Sequence, residues 1–199
     1  KADMDALEKE LSAKETDLVT LRRDVSKKDM KIQSLQEKVE ALNLQATAVA
    51  QVPTGDITFP AWVTVQNDRL IVPADHLFKI KTDTLSQNAE EDLQKLAEGL
   101  SQWLSKAPDD SLLMVAAHTD MVPPNAGSYS TNDALTAAQA QRITQALANA
   151  GLSVTRLLPV GLSHHMEASA KLTQEAFRKN RRIEFMLRPG IGQPQTTAN

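Results

Sequence analysis

Apolar and polar positions alternate with two different periods along the chain, and the change between them divides it. Over residues 1–44 the apolar side chains recur every three or four positions. With Met4 at heptad position a, Leu11, Leu18, Val25, Ile32 and Val39 also fall at a, and Leu7, Leu21, Leu35 and Leu42 fall at d. Lys14 and Lys28 are the polar exceptions at d, and no Gly or Pro interrupts the run. Such a repeat predicts a coiled coil, a rod of roughly 60 Å at ~1.5 Å per residue. β-branched residues at several a sites with Leu at d favour a parallel homodimer. The flanking charges oppose one another: across a parallel pair Asp17 attracts Arg22, whereas Glu10 meets Glu15 and Asp24 meets Asp29. Each pair weighs only tenths of a kcal/mol. The alternatives are an antiparallel pair and a single helix that packs on its own domain.

At residues 45–68 the charges give way to Thr, Ala and Val, and Pro53, Gly55 and Pro60 break the helix. This is a linker or strap, with a short strand possible at Ala61–Gln66. Arg69–Val72 reads as the first strand of a domain spanning 69–188. His76–Ser86 is a loop, with Ser86 a candidate cap for the helix that follows. Leu93, Leu96, Ala97, Leu100 and Leu104 carry the helical spacing of that element. The run Leu112–Ala117 is a strand that ends in His118-Thr119-Asp120. After a polar loop with Pro123, Pro124, Asn125 and Gly127, a helix runs from Asn132 through Thr136 and Ile143 to Gly151. Leu157–Leu162 is a strand that Pro159 confines to an edge. Thr173–Lys179 is a short helix, Arg182–Leu187 a last strand, and 189–199 a polar tail. The order β-α-β-α-β-(α)-β predicts an α/β (α+β) sandwich with helices on one face of a mixed sheet.

Composition narrows the function. The 199 residues carry a net charge of -3, which is no coat for nucleic acid. There is no cysteine, so a disulfide framework, a thiolate metal site and a cysteine nucleophile are excluded. No apolar run reaches the ~18 residues of a membrane span, and the chain opens inside a charged helix, so a membrane or export segment is expected upstream. No phosphate loop, G-x-S-x-G or H-E-x-x-H occurs, and no cofactor is expected. His118, His164, His165, Asp120 and Glu167 match no standard ligand spacing; the adjacent pair His164-His165 would point opposite ways on an extended segment, and no metal is expected. Asp120 and Glu184 are the only carboxylate pair a hydrolase could use, and nothing in the sequence orients them.

The polar groups gather where the Leu112 strand exits and the Thr136 helix begins. A helix N-terminus favours a carboxylate and an adjacent Asp favours an ammonium, so together they suit a zwitterion. The bland alternative for Asp120 is a turn-forming residue that bonds its own backbone.

The residues Ala117-His118-Thr119-Asp120, Asn132, Leu135-Thr136-Ala137-Ala138-Gln139-Ala140 and Asn180-Arg181-Arg182-Ile183-Glu184 lie in the order of a known pattern. From about Leu70 to Leu187 the chain resembles the peptidoglycan-binding domain of OmpA-like and MotB-like proteins, whose motifs are Gly-His-Thr-Asp, Asn, Leu-Ser-x-x-Arg-Ala and Asn-Arg-Arg-Val-Glu. The long Pro-containing loop resembles the MotB-like branch. The resemblance implies a site that clamps diaminopimelate of the stem peptide between an Asp and an Arg. Asp120 falls on that Asp. The Arg position is Gln139, which carries no charge and cannot make a forked pair to a carboxylate. Arg142, a turn further along, and Arg181, the first Arg of the last motif, are the candidate replacements. Thr119, Asn132, Leu135, Thr136 and Asn180 complete the expected ligand-binding set.

The resemblance implies a non-catalytic, periplasmic anchor, tethered to the inner membrane and a partner there by the missing upstream segment, with a stator- or motor-like complex one such setting. Its competitors are an assembly module that keeps the fold but has weakened or lost wall binding, acting through its coiled coil, and an enzyme acting on the wall.

Overall fold

A computed structural model describes residues 2–50, 54–66, 68–124 and 129–190, with side chains of the first helix described for Met4 and residues 9–44. Leu7, Pro53, Asn67, Asn125, Gly127 and the tail from residue 191 lie outside the described side chains or residues. The chain forms two compact units that divide after Gln45.

The first unit is made of the long helix α1 (Ala2–Ala50), whose last five residues are counted with the second. Its heptad residues Leu11, Leu18, Leu21, Val25, Ile32, Leu35, Val39 and Leu42 stay about half exposed or more. Lys14 at position d reaches back to Glu10 at 2.8 Å, an i,i+4 pair on the surface. No helix among the described residues is long and apolar enough to cross a membrane.

The second unit is built on a five-stranded mixed sheet. Its elements are β1 (Thr64–Val65), β2 (Leu70–Pro73), α2 (Ala74–Leu77), α3 (Ala89–Ser105), β3 (Leu112–His118), α4 (Asn132–Asn149), β4 (Leu157–Gly161), α5 (Gln174–Asn180) and β5 (Arg182–Arg188). The spatial order is β1-β2-β5-β3-β4. Only β3 and β4, the two strands joined through α4, run parallel; the other pairs are antiparallel. Pro159 does lie on an edge strand, where its missing N–H costs no ladder bond.

Side chains alternate across the sheet. Leu70, Val72, Leu113, Val115, Ala117, Ile183, Phe185 and Leu187 form one core with Leu93, Leu96 and Leu100 of α3 and Ile143 and Leu147 of α4. The strap enters this core through Ile57 and Val63, with Phe59 and Trp62 packed against it. Gly99 of α3 makes room for the Phe59 ring, which a Cβ there would meet at 2.7 Å. The opposite face of β5 carries Arg182 and Glu184, with His118 of β3 beside Arg182.

Two local expectations need correction. Residues 74–77 are a short helix, which four residues are too few to announce by period. Ser86 is not the cap of α3. Asn88 holds the N-cap position without a side-chain bond, and Ser86 Oγ donates to the His76 carbonyl at 2.9 Å. The opening of α3 is favoured instead by Glu90, Glu91 and Asp92 in its first turn, which complement the helix dipole.

Candidate functional site

Four elements converge at the carboxyl end of β3. The strand delivers Thr119 and Asp120, and the Thr119 N–H bonds to the Ser163 carbonyl beyond β4 at 2.9 Å. Thr131 caps α4 by accepting from the Ala134 N–H, so that donor is already used inside the helix. Asn132 at the head of α4 donates to the Asp120 carbonyl at 3.1 Å and fixes the strand exit against the helix. Thr136 accepts from the Ser163 N–H at 3.1 Å and donates back to the Asn132 carbonyl, which fastens α4 to β4. Gly161 lets these elements approach, since a Cβ there would lie 2.5 Å from the Ala137 nitrogen. The loop from α5 into β5 delivers Arg181.

At the centre is a chain of alternating charge. Arg181 Nε and Nη2 clasp Asp75 at 2.8 and 2.6 Å. Its Nη1 donates to Asp120 Oδ2 at 2.5 Å. Asp120 Oδ1 takes the Lys81 ammonium at 2.6 Å and the Val122 N–H at 2.9 Å. Lys81 Nζ also donates to Thr119 Oγ1 at 3.0 Å and to the carbonyls of Asp120 and Val122. Asp120 is 1% exposed and Lys81 8%. Burial pushes the Asp120 carboxyl up, but hydrogen bonds from Lys81 and Arg181 outweigh it and hold it below the usual carboxylate range. Burial draws the Lys81 ammonium below the usual lysine range, against the pull of Asp120. The bond from Asp75, then that from Asp120, keeps Arg181 charged.

Thr119, Asp120, Asn132, Gln139 and Arg181 are therefore brought together, with Leu135 and Thr136 buried beneath them. Arg142 and Asn180 are not among them. Arg142 turns outward, half exposed, 3.6 Å from Asp83. Asn180 holds both backbone groups of Ser169 at 2.9 Å and pins the loop before α5. Gln139 Nε2 donates to the Thr82 carbonyl at 2.8 Å, while its Oε1 accepts nothing among the described residues. The Val122 N–H bond makes Asp120 a turn-forming residue as well as an ion-pair member. Asp75 and Lys81 are the site residues that sequence reasoning missed. Lys81 is 39 positions from Asp120 and belongs to no motif, and nothing in the run Lys79-Ile80-Lys81-Thr82-Asp83-Thr84 sets it apart from Lys79.

Other candidates resolve differently. Glu184 is held at 2.6 Å by Arg182 and 2.9 Å by Arg69, so neither it nor Asp120 is a free carboxylate. His164 and His165 lie in a turn after Ser163, whose φ is 51°, and their rings are 4.9 Å apart rather than pointing oppositely. Among the described residues no group of three or more His, Asp or Glu side chains is placed to hold a metal ion.

The match to a family model decides the lineage: the OmpA family model covers residues 77–181, more than half of the chain. The chain belongs to the OmpA family. The fold agrees with solved structures of low sequence identity. The periplasmic domain of Helicobacter pylori MotB (residues 78–256) is 19% identical, with 64% of this chain and 80% of that one covered at a TM-score of 0.55. A putative MotB-like protein from Desulfovibrio vulgaris is 20% identical, with 80% and 98% covered at 0.56. The cell wall anchor of the T6SS from Pseudomonas aeruginosa is 23% identical, with 64% and 88% covered at 0.56. No curated protein matches the chain. Within this OmpA-family domain the carboxylate at the strand exit is Asp120, and the cations beside it are Lys81 and Arg181.

Proposed function

We propose that the chain is a non-catalytic, periplasmic anchor to peptidoglycan, in which the OmpA-family domain grips the wall. The observation that carries this reading is Asp120, an ionised carboxylate fixed at the end of β3 beside the head of α4 in a domain of this family. Its neighbourhood in fold to a T6SS cell wall anchor supports the same role. The ligand would be the diaminopimelate stem peptide, whose ammonium suits Asp120. Arg181 is the guanidinium at hand for its carboxylate, since Gln139 is neutral and Arg142 faces Asp83. The exposed heptad face of α1 would join two copies, and a segment upstream would tie them to the inner membrane, as in a stator-like complex. Co-sedimentation with purified peptidoglycan tests the reading. The wild type should pellet and Asp120→Ala should remain in the supernatant; a wild type that fails to pellet overturns it.

One observation favours a second reading, that of an assembly module. The four charges satisfy one another, and the cavity bounded by Asp75, Lys81, His118, Gln139 and Arg181 is only about 10 Å³. Micromolar binding of a diaminopimelate-containing muropeptide by calorimetry would reject this alternative.

A further inference from the structure

The turn between α2 and α3 holds a contradiction that only the structure shows. Lys81 has φ 61°, a left-handed conformation that Gly and Asn adopt cheaply and a long side chain does not. Lysine is also among the residues least often buried, yet this one is 8% exposed. Strain and burial together mean that the surroundings hold Lys81 in place. The holding groups are visible. Lys79 N–H bonds to the Thr84 carbonyl at 2.9 Å, and Phe78 and Leu85 pair across the base of the turn. From α4, Gln139 takes the Thr82 carbonyl and Arg142 faces Asp83. Gln139 and Arg142 of α4 thus fasten the turn that delivers a lysine to Asp120.

The chemistry of the delivered group is that of a ligand. An ammonium has three protons to donate. Lys81 has Asp120 Oδ1, Thr119 Oγ1 and the carbonyls of Asp120 and Val122 within reach, so none is left over. Asp120 in turn spends one oxygen on Lys81 and Val122 and the other on Arg181. A second ammonium cannot enter a cavity of about 10 Å³, roughly one water in size. Gln139 Oε1, buried on the same cavity wall, is an acceptor without a donor among the described residues.

We propose that Lys81 is an internal occupant of the Asp120 seat, and that the domain takes a ligand's ammonium there only when the 79–85 turn withdraws the lysine. This rests on the reading of Asp120 as the ammonium seat. Lys81 is then a specificity-determining residue: it sets the threshold a ligand must exceed, and a bare ammonium competes with a tethered one at high effective concentration.

The test is calorimetry of the full chain with meso-diaminopimelate, comparing wild type with Lys81→Gly, which suits the positive φ. Lys81→Gly should bind at least ten-fold tighter. Lys81→Asn, also compatible with that φ, carries the same comparison if the glycine variant does not fold. Equal, measurable affinity of wild type and variant overturns the occupancy and leaves the seat reading standing. Weaker binding by the variant also overturns it, because Lys81 would then contact the ligand. Binding by neither overturns the seat reading and the occupancy with it. Acetylation of the folded wild type followed by peptide mass spectrometry supplies a readout free of ligand. Lys81 should label at least ten-fold more slowly than exposed Lys79; equal labelling overturns the proposal.

Discussion

Arg181 is where the site's stability and its chemistry meet. It is 9% exposed and bridges two carboxylates, clasping Asp75 with a fork and touching Asp120 with its remaining amine. Removing it takes the fork from half-buried Asp75 and leaves Asp120 with Lys81 as its one cation. Arg181→Ala should destabilise the domain by about 2–3 kcal/mol in urea unfolding, and Arg181→Lys should restore only part, because an ammonium cannot reproduce the fork. Gln139→Arg places a third cation against Lys81 and Arg181 in a cavity without room for it, so it should destabilise the wild type. In a Lys81→Gly background the same change should be tolerated, a coupling that a double-mutant cycle reads directly. A different residue sets the pH response. His118 is 1% exposed and its ring nitrogens have no hydrogen bond among the described residues. Burial, then the charge of Arg182, pushes its pKa down to about 4, against the pull of Glu184 at 3.8 Å. The unfolded chain takes this proton near pH 6.5 and the folded chain only near 4, so the stability present above pH 6.5 is lost as the pH falls. Between pH 6.5 and 5 the loss should be about 2 kcal/mol, at ~1.4 kcal/mol per pH unit for one proton. Melting curves at pH 7, 6 and 5 should show it, and His118→Leu should flatten the slope.

At the scale of elements, the site depends on how closely α4 lies on β4. The contact passes through Gly161, where an added Cβ would lie 2.5 Å from the Ala137 nitrogen and 2.8 Å from its Cα. Backbone cannot yield as a flexible side chain would, so helix and strand must part. Gly161→Ala should cost about 1–3 kcal/mol and loosen the Ser163–Thr136 bond that steadies Thr119, while Gly55→Ala, with nothing within 4 Å, should leave the melting temperature unchanged. The elements themselves were largely legible in sequence, because each long one carries its period: Leu93 to Leu104 for α3, Leu112–Ala117 for β3, Pro159 for an edge strand. What escaped was short or non-local. The four residues of α2 hold barely one turn. The start of α3 is fixed by backbone bonds from the Ala89 and Asp92 N–H groups to the Ser86 and Asn88 carbonyls rather than by a side-chain cap that a pattern could announce. The site was legible as far as its motifs reached, to Asp120, Asn132 and Arg181. Lys81 was not, because its meaning lies in a turn conformation and in a partner 39 residues away. Arg142 was misplaced because helical spacing gives the face of a residue and not the partner, here Asp83, that competes for its side chain.

At the scale of the whole molecule, the unresolved energetics lie in α1. Along it Leu11, Leu18, Leu21, Val25, Ile32, Leu35, Val39 and Leu42 keep between 48% and 62% of their surface exposed, an apolar stripe far longer than a soluble monomer leaves uncovered. An isolated helix gains nothing in water from such a stripe, and its surface ion pairs, such as Lys14 with Glu10, are worth tenths of a kcal/mol. A second copy of the same helix would cover it with matching spacing. In a parallel pair the Lys residues at d and the Glu10–Glu15 and Asp24–Asp29 repulsions would reduce the gain, which would place such a dimer within reach of dilution. Analytical ultracentrifugation should therefore find a dimer for the full chain at tens of micromolar, moving toward monomer on dilution, and a monomer at all concentrations once residues 1–44 are removed. Leu35→Asp, which buries a charge at one d position in each copy, should shift the full chain to monomer while leaving the melting of the OmpA-family domain unchanged. Raising the salt concentration should tighten the dimer, since screening relieves the like-charge pairs more than it weakens the apolar seam. A dimer that survives both the truncation and Leu35→Asp would move the self-association to the second unit and remove α1 from the proposed anchor.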